Sequence, residues 1–445
     1  MRYKFYNKLF TIIFSLMLFS GCDKYLDIIP TGSVIITTAQ EFRKMLTHAY
    51  SIIPEDRGLA TFRADELIMD ATISKEDLNS YKDIWIWNDM APDESTSSFN
   101  WRRYYQVIYE ANYTIESRNK ITEGTADEIN QLIGESYMLR AYMHFLLVNL
   151  FADPYTAVED PYSVKAIPLK LNTESEDVLP RNTIGEVFDQ IISDLNSAEQ
   201  YLNVEKWGDG LNYRFNKISV DAFRSRLYLY MGKYEESLSA SLRVLETRDE
   251  LSDLSTELPN SFNSSEIIVA LEQTMTAAYY RAGKVNTELW KLYNSADKRR
   301  SKYYRQVTAS NIQVQKGGSN QYSCSFRTGE IYLNAAEAAL ETIGVDEARI
   351  YLLNLMKNRY NESYYSQRES AIMLMEKDEL FSEIFDERRR ELAFEGHRWF
   401  DLRRRHRKEL TKTYLGETFT LEENDSRYTI RIPSDAIAAN PGLAN

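Results

Sequence analysis

The chain is predicted to fold as a mostly α-helical protein built from helical hairpins and interrupted by two irregular insertions. Three observations predict this. Apolar residues recur at i, i+3, i+4 and i+7 through most of the chain. Small residues and glycine recur at matching places in two well-separated helix pairs, and period-two alternation is confined to short stretches. With 445 residues, 43% of them hydrophobic, the chain has ample material for a large core.

The first element is an export signal. Arg2, Lys4 and Lys8 precede an apolar run from Leu9 to Phe19, which is too short to span a bilayer as a helix, and Ser20, Gly21 and Cys22 follow. Small residues directly before a cysteine resemble the bacterial lipobox, although Phe19 stands where leucine is usual. Residues 1–21 are therefore expected to be a lipoprotein signal peptide, Cys22 the lipidated first mature residue, and residues 22–445 a single domain. Each buried acyl methylene contributes about 0.8 kcal/mol, so the anchor alone can hold the protein to a membrane. After Cys22 no run of apolar residues is long enough for a second span.

Thr38 opens a helical pattern with Phe42, Met45, Leu46, Ala49 and Ile53 on one face, ending before Pro54. Residues 55–98 read as a first, less regular insertion. A second helix carries Trp101, Tyr104, Tyr105, Ile108 and Tyr109 toward Ile115, and a third runs from about Ala126 to Phe151, closed by Asp153 and Pro154. Prolines 154, 161, 168 and 180 exclude a continuous helix between them. Thr183 then caps a helix with Val187, Phe188, Ile191, Leu195 and Leu202.

The stretch Leu227 to Leu238, with Gly232 and Tyr234 at the turn, resembles half of a tetratricopeptide repeat, and Phe326 to Tyr360 repeats the pattern around Ala335, Ala336, Ala338 and Gly344. Each such hairpin is too small to bury its own apolar face, so a stacked, tetratricopeptide-like scaffold is expected. Residues 251–325 form the second insertion, with a candidate strand over Glu266 to Leu271, and a last helical region is expected from Asp378 to Arg404. Insertions of this kind are where binding is best sought.

The net charge is −13, and loss of Arg2, Lys4 and Lys8 with the signal makes it −16, which disfavours nucleic acid as a partner. Cys22 and Cys324 are the only cysteines, so a disulfide framework is excluded and Cys324 reads as an inert thiol. No nucleophile elbow, H-E-x-x-H or P-loop is present, so no catalytic residue, metal site or cofactor is assigned.

Glu387 to Arg403, ERRRELAFEGHRWFDLR, resembles the C-terminal signature of the SusD/RagB family of Bacteroidetes outer-membrane lipoproteins. The residues after Cys22, the set Trp101, Tyr105, Ile108 and Asn112, the run Arg140 to Tyr142, and the closing Ile432-Pro433 and Asn440-Pro441-Gly442 extend the resemblance over the whole chain. It implies a helical protein that lies as a lid on a SusC-like TonB-dependent transporter at the outer membrane and captures a nutrient, most readily a glycan. The alternative it leaves open is a structural lid, for a peptide or another nutrient, with little affinity of its own. The signature itself reads as an ion-pair network of i, i+4 neighbours, with His397 in the core.

Two groups are candidates for ligand contact. In DIWIWNDM, alternation puts Trp85 and Trp87 on one face of an extended segment, with Asn88 and Asp89 beside them. Such aromatic platforms suit the C–H faces of a sugar, and packing on the scaffold is the alternative. In the second insertion, Tyr279, Tyr280 and Trp290 are candidates, with Arg281 as a donor. The run Lys298-Arg299-Arg300 reads as a solvated face and Trp101 as core.

Overall fold

The computed structural model describes residues 36–174, 178–309 and 311–444. The signal segment 1–21 and Cys22 lie outside the described residues.

Helix starts follow local chemistry. Helix α1 (Ala39–Ser51) opens at a reciprocal capping box between Thr38 and Glu41. Helix α2 is Lys75–Trp85 and α3 is Trp101–Glu116. Helix α4 (Ala126–Phe151) uses the same box with Thr125 and Glu128, and α5 (Ile184–Tyr201) with Thr183 and Glu186. Each cap satisfies amides that the helix cannot, and contributes about 1 kcal/mol.

With 26 residues, α4 is about 39 Å long. From Gln131 onward every residue except Tyr137 is buried. Burial on every side means that neighbours surround it, and its charged residues Glu135 and Arg140 are paired with Arg43 and Asp194. It packs against α3 on one flank and α5 on another. The next pair is α6 (Lys217–Tyr230) and α7 (Tyr234–Leu245), which turn at Gly232, where φ is +70°. Then come α8 (Thr328–Thr342) and α9 (Val345–Arg359), turning at Gly344, with φ of +135°. Ala335, Ala336, Ala338 and Ala339 of α8 are fully buried, and their small size lets α7, α9 and a later helix approach.

Helix α10 is Glu362–Ile372, α11 is Lys377–Glu391 and α12 is Arg398–Arg405. The last two replace the single helical region expected from Asp378 to Arg404. Phe394 and Gly396 adopt φ of +62° and +71°, which stops the helix. A Cβ on Gly396 would stand 3.0 Å from the Arg57 Cβ, so the break also serves a close approach of two segments.

Among the described residues, strands form only two-stranded sheets: β1 (Leu67–Ile68) with β3 (Lys284–Val285), β2 (Ile267–Val269) with β6 (Phe326–Arg327), β4 (Tyr304–Thr308) with β5 (Asn311–Val314), and β7 (Leu410–Tyr414) with β8 (Glu417–Leu421). All are antiparallel. The β2 strand lies where Glu266 to Leu271 suggested one. Pairing of β1 with β3 joins the first insertion to the second.

The ERRRELAFEGHRWFDLR segment is ionic, with some pairs inside it, such as Arg390 with Glu387, and many with partners distant in sequence. Glu391 accepts from Arg299, Arg327 and Arg359, all buried. Arg388 reaches Asp401, and Arg404 reaches Glu337. The expected local ladder is thus mostly a tertiary one. Lys298-Arg299-Arg300 is not a solvated face throughout, because Arg299 is fully buried between Asp297, Glu387 and Glu391.

Candidate functional site

The expected platform at Trp85 and Trp87 is not formed. Trp85 is the last residue of α2, Trp87 has φ of +60°, and both are 1% exposed. Helical period overrides alternation here, because Tyr81, Ile84 and Trp85 share one buried face at i, i+3 and i+4. The indole N–H of Trp85 donates to the Leu67 carbonyl at 3.1 Å, and that of Trp87 to the Arg63 carbonyl at 2.9 Å. The Lys412 ammonium donates to the carbonyls of Phe62 and Trp85 and lies 4.2 Å from the Trp87 ring centroid.

Asn88 and Asp89 are likewise engaged. The Asn88 amide donates to Asp83 and to the Ala91 carbonyl, and Asp89 takes a bidentate pair from Arg63 at 2.7 and 2.8 Å. Residues 83–91 brace the interior rather than present rings to a ligand.

The second group fares differently. Thr276 caps a short helix, Ala277–Ala282. Its Tyr279 meets Phe62 and Tyr81 edge-on at 5.7 and 5.6 Å, and burial pushes the Tyr279 hydroxyl pKa up. Arg281 extends into solvent and approaches Asp77 at 3.7 Å. Tyr280 is half-buried, and its hydroxyl lies 3.5 Å from the Gln313 side-chain oxygen. Arg305 donates to that same oxygen at 2.6 Å.

Arg305 leads to Trp290. A cleft of about 430 Å³ is lined by Trp290, Arg300, Arg305, Gln306 and Gln315, with Ser295 and Ser301 at its rim. Trp290 is half-buried, edge-on to Tyr304 at 5.7 Å, and the Arg300 guanidinium stands 4.1 Å from its ring centroid. The Asp297 carboxylate in this wall is neutralised by Arg299. Two guanidinium groups, two amides and an indole thus converge on one solvated hollow, and Gln313 links it to Tyr280. Tyr279 and Arg281 stand on the neighbouring face, next to α2.

Sequence reasoning missed Arg300, Arg305, Gln306 and Gln315. Only their position in a long polar insertion beside Trp290 marked them. His397 is buried, and burial with Arg226, Arg57 and Arg388 nearby holds its pKa well below the ordinary histidine value. Cys324 is buried and its pKa is raised, so the thiol stays protonated. Among the described residues no group of three His, Cys, Asp or Glu is placed to hold a metal ion. No described helix is long and apolar enough to cross a membrane.

Residues 24–229 match the family described as starch-binding associating with outer membrane, and residues 211–444, more than half of the chain, match the SusD family. SusD-like protein P38 of Formosa agariphila is 27% identical over 243 residues, 54% of this chain but only 45% of that relative. SusD-like protein P2 of the same organism is 23% identical over 388 residues, 71% of this chain and 73% of the relative.

Among solved structures, a SusD superfamily protein of Bacteroides thetaiotaomicron superposes with a TM-score of 0.76 at 21% identity, covering 92% of this chain and 99% of that one. A laminarin-binding SusD-like protein superposes with a TM-score of 0.64 at 18% identity, covering 83% and 92%. The helical fold, the ionic C-terminal signature and these matches agree: the chain belongs to the SusD family.

Proposed function

We propose that the protein is a lipoprotein of the outer-membrane surface that captures a glycan and delivers it to a SusC-like TonB-dependent transporter. The observation that carries this reading is the Trp290 cleft. An indole, two guanidinium groups and two amides in a shallow hollow suit a saccharide, whose C–H face stacks on the ring while its hydroxyls take paired hydrogen bonds. The shared fold of the laminarin-binding SusD-like protein supports a saccharide as ligand. Tyr280, through Gln313, extends the same surface.

In this reading Cys22 bears the lipid, and the protein binds without turnover. A solvated site of this kind gives affinities of roughly micromolar to millimolar. A second reading, a structural lid with little affinity of its own, is favoured by the burial of Trp85 and Trp87, which removes one expected ligand platform.

The test is titration of a form lacking residues 1–22 with laminarin, starch and other oligosaccharides, and with peptides, followed by calorimetry. Glycan binding that Trp290→Ala abolishes supports capture at the cleft. Binding unchanged in that variant removes the cleft as the site, silence across the panel leaves the lid reading, and release of reducing ends would overturn binding without turnover.

A further inference from the structure

A larger hollow lies elsewhere. A groove of about 860 Å³ runs along the first half of α3 and is closed by the loop around Pro168 and the C-terminal residues 433–443. Trp101, Tyr105 and Tyr109 line it at i, i+4 and i+8, so the three aromatic side chains rise about 6 Å apart along one face of the helix. Tyr109 is 47% exposed. Trp101 rests edge-on against Phe151 at 5.0 Å and the Tyr105 hydroxyl donates to the Pro168 carbonyl at 2.9 Å, so these two rings are held in place while Tyr109 is open.

Arg102 and Arg103 line the same groove and are exposed. Among the described residues they are the arginines whose guanidinium groups have no hydrogen bond, ion pair or ring contact; the others are engaged, down to solvent-facing Arg243, Arg281 and Arg305. They do not serve α3 either. Both stand in its first turn, where no acidic residue accompanies them and where the helix dipole disfavours positive charge. In a chain this acidic, two adjacent unpaired cations beside three rings are left without a structural task.

The geometry points to a second saccharide site in this groove, selective for acidic sugars, with the rings of Trp101, Tyr105 and Tyr109 taking successive sugar faces and Arg102 and Arg103 the carboxylate or sulfate groups. Guanidinium pairs with such oxyanions in a planar, bidentate way. The carboxylates of Glu174 and Asp435, which also line the groove, would accept from sugar hydroxyls. This inference shares a ligand class with the proposed function but not the Trp290 cleft.

The experiment is calorimetric titration of the form lacking residues 1–22 with oligogalacturonate and its fully methyl-esterified counterpart, and with a carrageenan oligosaccharide before and after desulfation. At least one acidic form is expected to bind at least tenfold tighter than its neutral counterpart, and preference for one pair tells carboxylate from sulfate. Arg102→Ala/Arg103→Ala is expected to erase that preference. Tyr109→Ala should weaken binding of the acidic form several-fold, and the double arginine variant should keep whatever neutral-glycan binding the Trp290 cleft supports, which separates this groove from the cleft. Equal affinity for charged and neutral forms, a preference that survives the double arginine variant, or no binding of either acid would overturn the assignment.

Discussion

The Arg327 guanidinium and the Glu391 carboxylate, 64 residues apart in sequence, meet at 2.7 Å with no route to solvent. Glu391 also binds Arg299 and Arg359, and Glu266 binds Arg327 and Arg359 in turn. Removing one member of such a buried cluster strands the opposite charges, at a cost of about 3–5 kcal/mol. Glu391→Ala is therefore expected to lower the midpoint of chemical denaturation by that equivalent. A loss under about 1 kcal/mol would show that the cluster does not hold these segments together.

The same cluster should shape acid unfolding. Burial pushes the Glu387 carboxyl up, but Arg299 and Arg390 outweigh it and hold its pKa at about 2. Glu391 and Glu337 are depressed as well, by arginines that overcome their burial. The unfolded chain binds these protons first, so their stabilisation is complete above about pH 4.3 and is lost as pH falls toward 2. Denaturation measured across that window should show stability rising with pH, and Glu387→Gln should reduce the slope.

Glu66 is expected to act in the opposite direction. Burial lifts its pKa to about 7, against the pull of the Phe394 amide that donates to it. Here the folded state holds a proton that the unfolded state releases, so this residue's contribution falls as pH rises from about 4.3 through 7. Glu66→Gln mimics the protonated acid. Relative to wild type it should gain on the order of 2–3 kcal/mol between pH 5 and pH 8, and a pH-independent difference would refute the shift.

Trp85→Ala should behave as a core deletion, costing about 3–5 kcal/mol. Acrylamide quenching offers an independent check, since Trp85 and Trp87 are shielded while Trp290 is reached. A stable Trp85→Ala variant with weakened glycan binding would return this tryptophan to the ligand site.

Helix starts and hairpin turns were legible because they depend on local chemistry: Thr38 and Thr183 cap through residues three positions away, and Gly232 and Gly344 adopt backbone angles that suit glycine. Trp85 was misplaced because a five-residue stretch can satisfy a period of 2 and a period of 3.6 at once, and only the neighbours decide. Arg299 read as solvated because its partners Glu387 and Glu391 lie about ninety residues away. The Trp290 cleft was half legible. The aromatic stood out in sequence, whereas Arg305, Gln306 and Gln315 gain meaning only when the hairpin of β4 and β5 folds beside it.

Glu391 belongs to α11, Arg359 to α9, Arg327 to β6, and Glu266 and Arg299 to the second insertion. One desolvated knot therefore rivets that insertion to the helical scaffold on both sides of Trp290. A sugar gripped there cannot swing away on a hinge of its own. In the proposed role, cargo and scaffold move as one rigid body, and letting go falls to the side chains at the surface.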